Sequence, residues 1–268
     1  MAAFAATAAL STLFLISVTF QHSAAAGQGG GVSDSARDFA RAYPDAGIAV
    51  DSDDAGVYIS IGKSRMIFSP APYDVTPDPN SQVDQPICAS LFWEYPVGAG
   101  GRNPAPGFDP GRVRHEGLMK LLYGADAESV RKNCVTVKFM GENVLFNARH
   151  GAADALARVA GRLEKLASAA SPLRGYLLPT SGTFNWRTVK GSKRLSSHSF
   201  AIAIDLNVEK APYWQWSSRN SAEVKRAREN YPQAIVDAFE AEGFIWGGKW
   251  HSFDYMHFEY RPELLNGN

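Results

Sequence analysis

Two short alternating runs constrain the fold of this chain more than any other feature, AIAIDLN at 201–207 and MHFEY at 256–260. In an extended segment successive side chains point to opposite faces. A strand over 201–207 therefore places Ile202, Ile204 and Leu206 on one face and Ala201, Ala203 and Asp205 on the other. The branched face belongs in a core, and the opposite face reads as a cleft floor of small side chains ending in a carboxylate. A strand over 256–260 likewise separates Met256, Phe258 and Tyr260 from His257 and Glu259.

The elements around these runs are amphipathic. Residues 112–124, RVRHEGLMKLLYG, carry Val113, Leu118, Leu121 and Leu122 at roughly helical spacing and end on Gly124, a C-cap signal. TVKFMGENVLFN reads as a hairpin around Gly141, Glu142 and Asn143. In residues 151–170, Leu156, Val159, Leu163 and Leu166 form one stripe, the signature of a helix packed on a core. Short strands and polar loops are expected after Pro172, through RGYLLPT, the segment leading to Phe200, and AIAIDLNV. A second amphipathic stretch at 222–244 is interrupted by Pro232, which lacks an amide donor and clashes one turn back, so two helices or a late-starting helix are expected. The order helix, small strands, helix, strand predicts an α+β fold: a small antiparallel sheet with flanking helices.

Upstream the character differs. Residues 27–36 are Gly/Ser-rich, SARDFARAY is able to open a short helix, and 48–59 is polar and short-patterned. Residues 68–113 are dominated by Pro, Gly and turn pairs, poor material for regular core elements. The expected organisation is a signal peptide at 1–26, a loop-rich N-terminal extension at 27–110 and a denser domain at 111–268. The first 26 residues hold no Asp, Glu, Lys or Arg, and an apolar stretch leads to small residues at Ala24–Ala26, as in an exported protein bound for the periplasm or exterior. No later stretch offers 18 continuous apolar residues, so no membrane span is expected once the signal is cleaved. Cys88 and Cys134 are the chain's two cysteines. In an oxidising compartment they are able to close one loop, worth roughly 4 kcal/mol, or else stand as two separate thiols. A disulfide would order the wrapping loops at 68–113, and without one that region would be mobile.

Twenty-seven basic and 27 acidic side chains balance to zero net charge, which argues against a broad nucleic-acid surface. There is no HExxH, no GxSxG elbow and no phosphate-binding glycine motif. What remains is a histidine and carboxylate set. His198 precedes Asp205 by seven residues, an odd separation that brings both to one ion only if the chain turns near Ser199 and Phe200. His257 follows Asp254 by three. A third ligand would complete a three-donor nitrogen and oxygen site with an open position, suited to catalytic zinc. On the residues alone, Glu259 and His251 are rival third ligands.

Ser196, His198, Ala203 and Asp205, with the pair Asp254 and His257, resemble the two signatures of the M15 metallopeptidase family, which contains VanY-type D-alanyl-D-alanine carboxypeptidases and L-alanyl-D-glutamate endopeptidases. The similarity covers roughly 175–264, and Ala201 stands where the family pattern has glycine. The resemblance implies that His198, Asp205 and His257 bind Zn2+, that Asp254 is the catalytic base, and that Arg187 is the family arginine facing substrate. It implies hydrolysis of peptide bonds in peptidoglycan stem peptides, with the L-Ala-D-Glu endopeptidase favoured over the carboxypeptidase, and a noncatalytic wall-binding module as the contrasting reading. Alanine at 201 is expected to trim the pocket or to demand a negative φ where glycine was free. Trp214, Trp216, Trp250 and Tyr255 are candidates to cover a peptide.

Overall fold

A computed structural model describes residues 29–78, 81–167, 171–218 and 220–265; the signal-like segment 1–26 lies outside the described residues. The chain opens with helix α1 (Gly29–Arg41) and an antiparallel meander, β1 (Ile48–Asp53), β2 (Gly56–Ile61) and β3 (Ser64–Pro70), in the order β1-β2-β3. Ala36 and Phe39 of α1, with Tyr43 just beyond it, recur at helical spacing and are buried. They meet Val57 and Ile59, the inward face of β2, and Phe68 of β3 in one cluster. The loop-rich expectation for 27–110 therefore fails over 29–70. The alternation there is only a few residues long, and its outward positions, Asp51, Asp53 and Arg65, are charged, which hides the apolar face.

Among the described residues from 71 to 113 the loop expectation holds, the regular structure there being a 3-10 turn at Ile87–Leu91. No disulfide ties these loops down, Cys88 and Cys134 being free thiols. Cys134 Sγ donates to the Val130 carbonyl at 3.2 Å, one turn back in its own segment, and burial pushes its thiol up to about 11. Burial also raises the Cys88 thiol, which has the Ser69 hydroxyl beside it. Side chains from the C-terminal half anchor the loops instead. Lys249 Nζ donates to the carbonyls of Pro96 and Gly98 and to Glu240, Tyr95 donates to Glu240 at 2.7 Å, and Trp250 Nε1 donates to Pro110 O at 2.7 Å.

Next come α2 (Glu116–Tyr123) and α3 (Ala127–Asn133). His115 caps α2, accepting from Leu118 N through Nδ1, and Gly124 is its C-cap. Asp126 and Ser129 form a reciprocal capping box on α3. The hairpin β4 (Cys134–Phe139) and β5 (Glu142–Asn147) turns at Met140 and Gly141, both at positive φ, one residue earlier than the sequence suggests. Helix α4 (Ala152–Leu166) buries Leu156, Val159 and Leu163, whereas Leu166 is 52% exposed, so the expected stripe ends one turn early.

Between Pro172 and Phe200 the expected polar loops are present, but the short helix α5 (Arg174–Leu177) stands where RGYLLPT suggested a strand. Then follow β6 (Ala203–Asp205), α6 (Ala222–Asn230), α7 (Gln233–Glu240), β7 (Phe244–Trp246) and β8 (His257–Tyr260). Pro232 divides α6 from α7, as its missing donor requires. The three strands form an antiparallel sheet in the order β6-β8-β7, which confirms the α+β class. A continuous core runs from Phe39 and Ile59 through Leu156 to Phe239 and Phe258, so both halves of the chain share it. Among the described residues no helix is long and apolar enough to cross a membrane.

Candidate metal centre

Strand register builds the centre. Asp205 lies directly opposite His257 across β6 and β8, and Ala203 lies opposite Glu259, so all four side chains share one face of the sheet. His198 arrives by the turn that its odd separation from Asp205 demands. Residues Ser197–Phe200 form a 3-10 turn, Ala201 is left-handed at φ 52 and ψ 40, and the extended strand is only Ala203–Asp205. Ala201 thus keeps the conformation expected of glycine instead of moving to negative φ, and its methyl is buried in the core rather than in the cleft. A left-handed alanine costs roughly 1–2 kcal/mol, offset here in part by burial of the methyl.

The donor atoms of His198, Asp205 and His257 all lie within 4.8 Å of one another. His198 Nδ1 is 2.6 Å from the Thr183 carbonyl, and a carbonyl only accepts, so Nδ1 carries the proton and Nε2 presents its lone pair. Nε2 is buried and lies 3.2 Å from Asp205 Oδ1, yet makes no hydrogen bond among the described residues. His257 Nδ1 is 2.9 Å from the same Asp205 oxygen, while its Nε2 faces Glu259 Oε2 at 3.1 Å and Ser197 Oγ at 3.3 Å. Burial alone would lower the His257 pKa, but hydrogen bonds and charge from Asp205 and Glu259 prevail and raise it to about 10. Burial would raise Asp205, but the two imidazoles hold it far below the carboxylate range. Two imidazoles and a carboxylate around an orphaned buried nitrogen fit a cation that takes the place of the shared proton.

Asp254 stands at the edge of this group. Its Oδ1 is buried and has no hydrogen-bond partner among the described residues. Burial, and then the charge of Asp205, push its pKa up to about 7. The turn that carries it closes through Asp254 N donating to Gly247 O at 2.9 Å and His257 N donating to Asp254 O at 3.2 Å. Gly247 permits that approach, since a Cβ there would lie 2.6 Å from the Asp254 carbonyl oxygen.

A cavity of about 350 Å³ opens over the cluster. Arg187 lines it with an exposed side chain, and its backbone is pinned to the His198 turn by Ser199 Oγ and Ser196 N. Trp214, Trp216 and Trp250 also line the cavity, whereas Tyr255 is buried in an aromatic cluster, edge-on to Trp246 and tilted against Tyr231. Neither rival ligand joins the donor set among the described residues. His251 is not among the lining residues, and its amide donates to Phe108 O at 2.8 Å. Glu259 is fully buried and gripped by Arg114 Nη1 at 3.1 and 3.0 Å and by Arg261 Nη1 at 3.1 Å. Arg112 and Arg114 fall within the helix expected over 112–124 but precede α2, and they line the same cavity. Their only signal is two arginines two residues apart just before a helix start.

Residues 190–260 match a family model described as D-alanyl-D-alanine carboxypeptidase, of the M15 peptidases. The match supports the M15 metallopeptidase family. The M15 segment contains His198, Asp205, Asp254 and His257, while Arg187, Arg112 and Arg114 lie outside it. The match supports a peptidoglycan-acting metallopeptidase in general terms. Neither the curated proteins nor the solved structures provide a match to the chain.

Proposed function

We propose that the chain is an exported zinc peptidase that cuts peptide bonds within peptidoglycan stem peptides, with residues 111–268 as the peptidase domain. The observation that carries this reading is the buried, unpartnered Nε2 of His198, aimed into the donor set of His198, Asp205 and His257. Zinc held there would supply a Lewis acid for water and for the scissile carbonyl. Asp254 accepts the proton of the attacking water on its unpartnered Oδ1 and returns it to the leaving amine. Burial raises the proton affinity of this carboxylate, which favours that acceptance. Arg187 stabilises charge on the carbonyl oxygen or holds a substrate carboxylate at the cavity rim.

The charge distribution in the cavity favours an internal cut of the L-Ala-D-Glu type. Arg112 is engaged by Asp109 at 3.1 Å and Arg114 by Glu259, which leaves Arg187 and Lys190, both exposed at the rim, to meet substrate anions. Capture of a chain-terminal carboxylate calls for a closed cationic end. The description of the matching family favours the D-alanyl-D-alanine carboxypeptidase as the second reading. Mass spectrometry of stem peptides incubated with the zinc-loaded protein, beside a chelated control, separates them. A zinc-dependent cut between L-Ala and D-Glu is expected, and release of terminal D-Ala alone would establish the carboxypeptidase. A folded, zinc-loaded sample that leaves every stem peptide intact would remove the peptidase reading in favour of a wall-binding module.

A further inference from the structure

Behind the candidate ligands runs a chain of buried charge that the chemistry at the cavity does not use. It starts at Tyr43, which donates to Glu263 Oε2 at 2.6 Å. Glu263 accepts from Arg261 Nε, Arg261 Nη1 donates to Glu259 Oε1 at 3.1 Å, and Arg114 reaches both Glu259 oxygens. The chain ends where Glu259 Oε2 meets His257 Nε2 at 3.1 Å. The side chains of Glu259, Arg261 and Glu263 are at most 1% exposed and that of Arg114 is 10% exposed.

Stability alone explains such a network poorly. Each ion taken from water costs several kcal/mol, and well-packed apolar residues commonly serve as well or better. Arg114 Nε and Arg261 Nη2 are buried without hydrogen-bond partners among the described residues, a further cost. The network has a directional output. A carboxylate clamped by two arginines only accepts, so it holds the proton on His257 Nε2 and turns Nδ1 toward Asp205. Ser197 Oγ, the other neighbour of Nε2, both donates and accepts and cannot set the tautomer by itself.

We infer that Glu259, locked by Arg114 and Arg261, is a positioning residue that commits His257 to bind metal through Nδ1, so that metal affinity depends on residues outside the 190–260 segment. The inference rests on the proposed role of His257 as a metal ligand. Glu259→Gln tests it sharply. The two arginines require an acceptor, so the amide oxygen turns to them and the amide nitrogen faces His257 Nε2. That nitrogen must then accept, and the proton moves to Nδ1, where it blocks coordination.

The experiment measures zinc affinity by chelator competition, together with the apo melting curve and the 15N spectrum of the histidine rings in the zinc-loaded protein. Glu259→Gln is expected to weaken zinc binding by about 10–100-fold, the usual effect of removing the partner behind a ligand. Arg114→Met, which keeps Glu259 and its Arg261 contact, is expected to weaken it several-fold, with partial recovery in Arg114→Lys. In the wild type, His257 is expected to show a slowly exchanging Nε2 proton and a coordinated Nδ1. Unchanged zinc affinity in folded variants overturns the inference and leaves the peptidase reading intact. A wild-type spectrum with zinc on Nε2 and the proton on Nδ1 also overturns it, whether or not any variant folds. A folded wild type that binds no zinc overturns both readings together.

Discussion

The two three-stranded antiparallel sheets of this chain treat charge in opposite ways. In β1-β2-β3 the apolar residues Val57, Ile59 and Phe68 face inward, and the charges are outside, where Arg65 pairs with Asp51 and Asp53 on side chains 42–47% exposed. In β6-β8-β7 every residue of β7 and β8 is buried, and Asp205, His257 and Glu259 lie on one face inside the protein. Exposed ion pairs contribute little, because water screens them. Buried ones shift each other's proton affinity by several units and persist only where something needs them. The first sheet is a scaffold, and the second holds chemistry at the expense of stability.

The most severe way to break the contrast is Asp205→Asn, which removes the carboxylate shared by both imidazoles. Metal retention is expected to be lost and turnover to fall by at least about 1,000-fold, the scale of several kcal/mol of lost Lewis-acid assistance. Metal analysis beside a stem-peptide assay checks it, and a variant with normal zinc content and turnover would remove Asp205 from the ligand set. Next in size is Asp254→Ala, expected to leave zinc bound while turnover drops about 100-fold, as for a lost general base. Near-normal rates in that metal-loaded variant would transfer the role to another group.

The third prediction concerns pH. In metal-free protein Asp254 has a folded pKa of about 7 against an unfolded value near 3.8, so its contribution to stability is complete below the lower value and is lost as pH rises through 7. His257, raised to about 10 from 6.5, behaves in the same sense: its contribution is complete below 6.5 and is lost as pH rises through 10. The depressed Asp205 works oppositely, contributing above its unfolded value and losing that contribution in acid. Denaturant titration of chelated protein should therefore show stability falling from pH 5 to 8 by on the order of 4 kcal/mol. Zinc displaces protons, so its stabilising increment should grow over the same interval. A chelated protein equally stable at both pH values would contradict the electrostatics described for the centre. The smallest effect belongs to the first sheet. Arg65→Ala is expected to move the melting temperature by less than about 3 °C, with that shift vanishing in high salt, and a larger loss would show that the outer pairs hold the meander together.

Much of the second sheet was legible from residue order. The alternation around Ile202, Ile204 and Phe258 predicted strands with one apolar face, and the odd spacing of His198 and Asp205 required a turn, found at Ser197–Phe200. The first sheet was not legible, because its inward residues are few and its outward ones charged. The disulfide expectation failed for a different reason. Spacing along the chain says nothing of which element each thiol is docked against, and the loops it was meant to order are held by Lys249, Tyr95 and Trp250.

By itself the sequence determined what is local or periodic: the end of a helix at Gly124, the break at Pro232 and the apolar faces, with the histidines and carboxylates from which a centre could be drawn. Only the tertiary structure decided how those residues meet. The register that sets Asp205 against His257, the left-handed turn at Ala201 and the lock of Arg114 on Glu259, 145 residues apart in the chain, depend on contacts between distant segments. Period and propensity report on neighbours along a backbone, whereas the orientation of an imidazole is set by whichever carbonyl or carboxylate the fold brings to its far side.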